Sequence, residues 1–201
     1  MNPETKAREA CITRGEPRLS ALSREQYGQE GFDIVTDLRA GVGLPPAEVP
    51  EFMATFLRHP ALVRAHAQLA LQLFKGTLPL RDRELVILRV MWLSCSPFEW
   101  NEHVAIGKQA AGLTREDIER VREGSSAAGW DDHSRAVLRA VEELHEKAMI
   151  SDEVWEALAK RYSDKQLIEL PILMGQYLGM AYLANSCRFR LPKGSAGLSA
   201  S

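Results

Sequence analysis

Cysteine is scarce in this 201-residue chain: Cys11, Cys95 and Cys187 are odd in number and far apart. Such a set builds no disulfide framework and fits a reducing compartment. The N-terminal stretch MNPETKAREACITRGEPRLSAL lacks the apolar core of a secretory signal, so a cytoplasmic location is expected. An excess of charge is lacking too. With 25 basic and 27 acidic side chains the net charge is −2, and no global field draws nucleic acid or an anionic membrane. Arg188 with Arg190 is too short a basic cluster to change that. Period-two alternation is also missing, which leaves no candidate strand.

What remains is helical patterning in an ordinary globular composition, 45% apolar and 26% charged. Residues 1–28 carry Pro3, Gly15 and Pro17 without periodicity and read as an arm. Residues 29–190 read as one helical domain, and 191–201 as a small, polar, flexible tail. GFDIVTDLRA ends at Gly41, and a Gly/Pro loop leads to EFMATFLRH. A longer helix after Pro60 stops at Gly76, and LRDRELVILRVMWLS follows, apolar from Leu85 to Leu93 except for Arg89. Thr114 is a natural N-cap for TREDIERVREG, and Ser151 and Ser163 open two further helices. Leu170 to Cys187 is long enough to span a bilayer, but Pro171, Gln176 and Asn185 interrupt it. A central helix buried on all sides, with no membrane contact, is the expectation. RDRELVIL at 81–88 lines up with SDKQLIEL at 163–170, consistent with a duplicated helical unit.

The chemistry-bearing stretch is CSPFEWNEH, residues 95–103. On a helix starting at Ser96, advancing about 100° per residue, Ser96, Glu99, Trp100 and His103 share the apolar face. An acid and an imidazole facing a core must be paired or hydrogen-bonded. Groups so placed often have shifted pKa values, which proton transfer exploits. Ser96-Pro97-Phe98-Glu99 also has the form of a capping box. Glu84 stacks at the end of the apolar stripe Leu88, Met91 and Cys95, one helix earlier. A short connection makes the two helices antiparallel, bringing Glu84 towards His103.

The block RELVILRVMWLSCSPFEWNEHVAIGKQAAGLTREDIERV resembles the carboxymuconolactone decarboxylase and alkylhydroperoxidase D-like (AhpD-like) family. LPLRDREL, DDHSRAVLRAVEELHE and LIELPILMGQYLGMAYLAN extend the resemblance over roughly residues 30 to 190. It implies an all-α fold and a homo-oligomer, often a trimer or hexamer, with a dimer also allowed. In the peroxidase branch a Glu is followed by a Cys-x-x-Cys pair and a His. Glu84 and His103 match the outer positions, but Ser96 and Glu99 stand where the cysteines belong. Cys95 is displaced around the helix from the first of them. Dithiol peroxide reduction needs an attacking and a resolving thiol, so the resemblance points instead to the decarboxylase branch.

That branch implies cofactor-independent, metal-free decarboxylation or isomerisation of a small cyclic or carbonyl acid. His103 is then the acid–base group, Glu84 sets its tautomer and charge, and Glu99 is a second acid or a gate. Ser96, Trp100, Tyr177 and Asn185 would contact the substrate. Two other classes stay open: a non-catalytic oligomeric scaffold with a buried polar network, and a di-metal bundle, for which Glu142 to His145 supplies only one Glu-x-x-His pair.

Overall fold

The computed structural model describes residues 2–201. Ten α-helices and a closing 3-10 turn account for all regular structure among them. The helix α1 (Pro3–Thr13) begins at Asn2, whose side chain accepts from Thr5 N at 2.8 Å. Helix α2 (Arg24–Gly41) is kinked at Gly28, where φ is 60°. The short α3 (Glu51–Phe56) and α4 (Pro60–Phe74) follow. Next come α5 (Leu80–Leu93) and α6 (Pro97–Gln109), joined by residues 94–96 alone. Helices α7 (Arg115–Glu123), α8 (Asp132–Lys147) and α9 (Asp152–Ala159) lead to α10 (Asp164–Cys187).

The organising element is α5. Leu85 through Leu88, Val90 and Met91 are fully buried because α10, α8 and α6 pack around it. This explains a helix with almost no polar face: it has no solvent side to present. Its one interior cation, Arg89, donates to the carbonyls of Val121 and Arg122 at 2.9 Å and pairs with Glu142 at 2.9 Å. Arg89 thereby caps the C-terminus of α7, where orphan carbonyls need donors. Thr114 caps the other end of α7 as expected, accepting from Asp117 N.

The arm is ordered by docking: α1 lies against the C-terminal segment, and Glu9 accepts from Leu198 N at 2.8 Å. Two expectations are corrected. The tail is docked too, with Leu198 fully buried. Its Ala200 carbonyl accepts from Trp100 Nε1 at 3.0 Å and from Arg122 Nη2 at 2.7 Å. Small, polar letters gave no sign of docking, since one leucine and two main-chain acceptors carry it. Finally, α10 is not buried all round. Its inner face packs on α5, but Ile168 is 66% and Tyr182 60% exposed. By length and composition α10 is also long and apolar enough to cross a membrane. The helices with similar openings, α5 and α10, do pack on each other, yet Asp82 is buried where Asp164 is exposed in the first turn of α10.

Candidate active site

The α5–α6 turn is tight. Cys95 takes a positive φ of 51°, a conformation that costs any residue with a Cβ. Asn185 of α10 steadies it, donating to the carbonyls of Ser94 (3.0 Å) and Cys95 (3.3 Å). The two helices then run back along each other, and the first turn of α5 meets the second turn of α6.

There, His103 Nδ1 lies 2.8 Å from Glu84 Oε2. Glu84 is 1% exposed. A carboxylate only accepts, so Nδ1 carries a proton, and in the neutral ring Nε2 is the nitrogen with the lone pair. Arg83 approaches the other oxygen, Glu84 Oε1, at 3.4 Å through Nε and Nη2. Its guanidinium also covers the Phe74 ring at 5.0 Å and donates to the Phe74 carbonyl. Glu99, one turn before His103, is buried, and burial pushes its carboxyl above the usual carboxylate range. The His103 imidazole opposes that rise and Glu102 adds to it. Tyr177 of α10 meets the His103 ring edge-on, centroids 5.0 Å apart. Burial and the negative charges of Glu84 and Glu99 push its phenol up, so it is a neutral donor at working pH.

These groups line one cavity of about 330 Å³ between α3, α4, α5, α6 and α10. That is the low end of small-molecule sites. Phe52, Phe56, Phe74, Phe98, Met53 and Met180 make most of its wall apolar. The result is a largely apolar chamber with an oriented imidazole, a buried carboxyl and a phenol at one end. Such a set can move a proton to or from carbon.

Of the residues expected at the site, Glu84, Glu99, His103 and Tyr177 meet in this cavity. Ser96, Trp100 and Asn185 do not line it. Ser96 is buried with its hydroxyl unpartnered and makes no side-chain cap, so the capping box expected at 96–99 is absent. Trp100 packs on Trp92, centroids 5.3 Å apart, and faces the C-terminal segment. Asn185 holds the α5–α6 turn. The single-face reading of α6 fails because the helix is buried along two arcs. Trp100, Val104 and Gly107 face the core, while Phe98, Glu99, Glu102, His103 and Ile106 face the cavity. Their centres lie about 130° apart at 100° per residue, with Glu99 and His103 near the border.

Reasoning on sequence missed Arg83, His66 and Gln176, which also line the cavity. A signal existed for two. His66 interrupts the small apolar residues of α4, and Gln176 the apolar run of α10. Arg83 looked like any first-turn charge.

A second buried acid–imidazole–phenol set lies elsewhere on α5. Asp82 Oδ2 accepts from Tyr162 OH at 2.7 Å and lies 2.9 Å from His133 Nε2. It ties α5 to α8 and to the segment after α9. Among the described residues no three His, Cys, Asp or Glu side chains are grouped to hold a metal ion. Glu142 is engaged by Arg89 and Ser125, and Glu143 by Ser151. The three cysteines are free, with no pair at Cys-x-x-Cys spacing. Cys95 is buried beside α1, its Sγ 3.9 Å from the Thr5 carbonyl, and burial raises its thiol pKa.

An antiparallel α5–α6 hairpin carrying a Glu–His pair sits inside an all-helical domain of AhpD-like fold. Residues 58–143 match the model of the Carboxymuconolactone decarboxylase family. Solved structures share the fold. A protein of unknown function from Agrobacterium tumefaciens, proposed as an antioxidant defence protein AhpD, is 20% identical over 67% of this chain and 93% of its own (TM-score 0.62). A cysteine-to-alanine variant of the debrominase Bmp8, in complex with 2,3,4-tribromopyrrole, is 14% identical over 88% and 92% (TM-score 0.69). An uncharacterized peroxidase-related protein from Silicibacter sp. TM1040 is 16% identical over 92% and 99% (TM-score 0.69). At these identities the likeness is one of fold. No curated protein matches the chain.

Proposed function

We propose that the cavity carries out cofactor-independent proton transfer on a small cyclic or carbonyl acid, by decarboxylation or isomerisation. The observation that carries this reading is the 2.8 Å Glu84–His103 contact beside a buried Glu99 whose carboxyl is held above the usual range. In decarboxylation the carboxylate leaves as CO₂ and its bonding pair delocalises into the substrate carbonyl. Glu99, as the neutral acid, then gives its proton to carbon and regains one from water through His103. In isomerisation His103 Nε2 removes a proton beside the carbonyl and Glu99 returns one elsewhere on the enolate. Glu84 keeps the His103 tautomer that leaves Nε2 basic, and Tyr177 donates to the developing oxyanion. The apolar walls support this chemistry, because charge developing between them is held largely by fixed dipoles such as the Tyr177 hydroxyl. A protein of this fold in complex with a small ring, tribromopyrrole, fits the same reading.

The family name points to the same substrate class. Dithiol peroxidase activity is disfavoured, because no cysteine lines the cavity and Cys95 is buried under α1 with a raised pKa. Release of CO₂ from unsaturated lactone acids and β-keto acids, compared across wild type, Glu99→Gln, His103→Ala and Cys95→Ser, tests the proposal. Expected is loss in the first two variants and retention in the third. Peroxide turnover with a dithiol that vanishes in Cys95→Ser would contradict it. The exposed Ile168, Ile172 and Tyr182 of α10 support self-association as a trimer or hexamer. Sedimentation velocity reads this directly, and a monomer at every concentration would count against it.

A further inference from the structure

The polar groups of the cavity stand on two walls. The acid–base groups come from α5 and α6. On the side made by α4 and α10, the Gln176 amide nitrogen lies 2.9 Å from His66 Nδ1 and 3.2 Å from Nε2. His66 is half-buried, and burial lowers its pKa, so the ring is neutral at pH 7. One ring nitrogen accepts from the amide and the other bears the N–H. The amide oxygen has no protein partner among the described residues. The pair therefore uses one donor and one acceptor on itself and has two N–H donors and one acceptor to spare. Reversing the amide leaves the same balance.

A packing role alone does not account for this. The neighbours of the pair are apolar: the Phe56 ring meets His66 edge-on at 5.4 Å, and Leu173 and Met180 flank Gln176 along α10. Neither residue has a buried unpartnered atom, so the spare donors and acceptor of an amide and an imidazole set into this apolar wall stay accessible to a ligand. No cation stands free on this wall. Arg83, the cavity's one guanidinium, is taken up by Glu84 and the Phe74 carbonyl. The wall thus suits an uncharged hydrogen-bonding group better than a second carboxylate. With room for about eleven waters at roughly 30 Å³ each, the chamber holds a single ring that touches both walls.

Resting on the function proposed above, we infer that Gln176 and His66 form a second polar subsite. It binds a carbonyl or hydroxyl on the ring of a cyclic acid, remote from the carbon where the proton is transferred. The substrate class narrows accordingly, to monocyclic acids bearing a second, uncharged oxygen function.

Two unreactive probes separate this inference from the reading beneath it: cyclohexanecarboxylate and 4-oxocyclohexanecarboxylate, titrated calorimetrically into the full chain. Wild type is expected to bind the oxo acid about tenfold more tightly or better, the worth of one good hydrogen bond. Gln176→Met and His66→Leu should each bring the two affinities within about twofold of each other, with binding of cyclohexanecarboxylate little changed. Equal affinities in wild type would overturn the subsite while leaving the proposed function standing, and need no variant to fold. A preference kept in both variants would also overturn it. Failure of both probes to bind would remove the cyclic-acid reading and the subsite together.

Discussion

Breaking the Glu84–His103 pair should cost more than a surface ion pair would, and by a predictable amount. In His103→Ala the Glu84 carboxylate, 1% exposed, keeps only Arg83 at 3.4 Å. An uncompensated buried charge costs about 3 kcal/mol or more. At roughly 2–4 °C per kcal/mol for a chain of this length, the melting temperature should fall by about 6–12 °C. Glu84→Gln keeps the shape and can still hydrogen-bond Nδ1, so about 1.5 kcal/mol is expected. The partners lose the same interaction, so the double variant should cost about 2.5 kcal/mol, a coupling near 2 kcal/mol. Urea unfolding of the four proteins at pH 7.5 measures it. Coupling below about 0.3 kcal/mol would refute the pairing, and with it the assignment of the Nδ1 proton.

Three further outcomes follow from other contacts. Because burial raises the Glu99 pKa in the fold, the unfolded chain loses this proton first as pH rises. Stability should therefore fall between the unfolded pKa, about 4.3, and the higher folded one. Glu99→Gln should flatten that part of the stability–pH curve, and an unchanged slope between the two proteins would contradict the assigned burial. Tyr162→Phe removes a 2.7 Å hydrogen bond to the buried Asp82. It should cost roughly 1.5–3 kcal/mol in chemical denaturation while leaving turnover at the cavity unchanged; a selective loss of turnover would reassign that cluster. Truncation after Pro192 exposes the Leu198 site and removes the acceptor of Trp100 Nε1. About 3 kcal/mol of destabilisation is expected from one buried leucine and two or more lost hydrogen bonds, and a truncated chain as stable as the full one would show the tail to be undocked.

Helix positions and the central contact were legible because they are written locally. Apolar spacing, Gly and Pro stops and a short 94–96 connection place Glu84 and His103 on facing helices. What was not legible depends on partners remote in the chain. Nothing near Trp100 announces that its indole is bonded to Ala200, a hundred residues on. The serine at 96 reads as a cap, yet its backbone and the buried turn leave its hydroxyl without a partner. Asn185 and Tyr177 sit on one helix with similar prior claims, and only the packing of α10 separates a turn clamp from a cavity wall. His66 was hidden for the same reason, since its cavity role appears only when α4 closes over α6 and α10.

The central claim is proton transfer to carbon by groups other than a thiol. Proton NMR in D₂O of cyclic β-keto acids and unsaturated lactone acids tests it most directly. The account predicts deuterium at the carbon that lost CO₂ or shifted its double bond, in wild type and Cys95→Ser. It predicts none above background in His103→Ala and in Glu99→Gln. Incorporation that survives in His103→Ala, or disappears in Cys95→Ser, would contradict it.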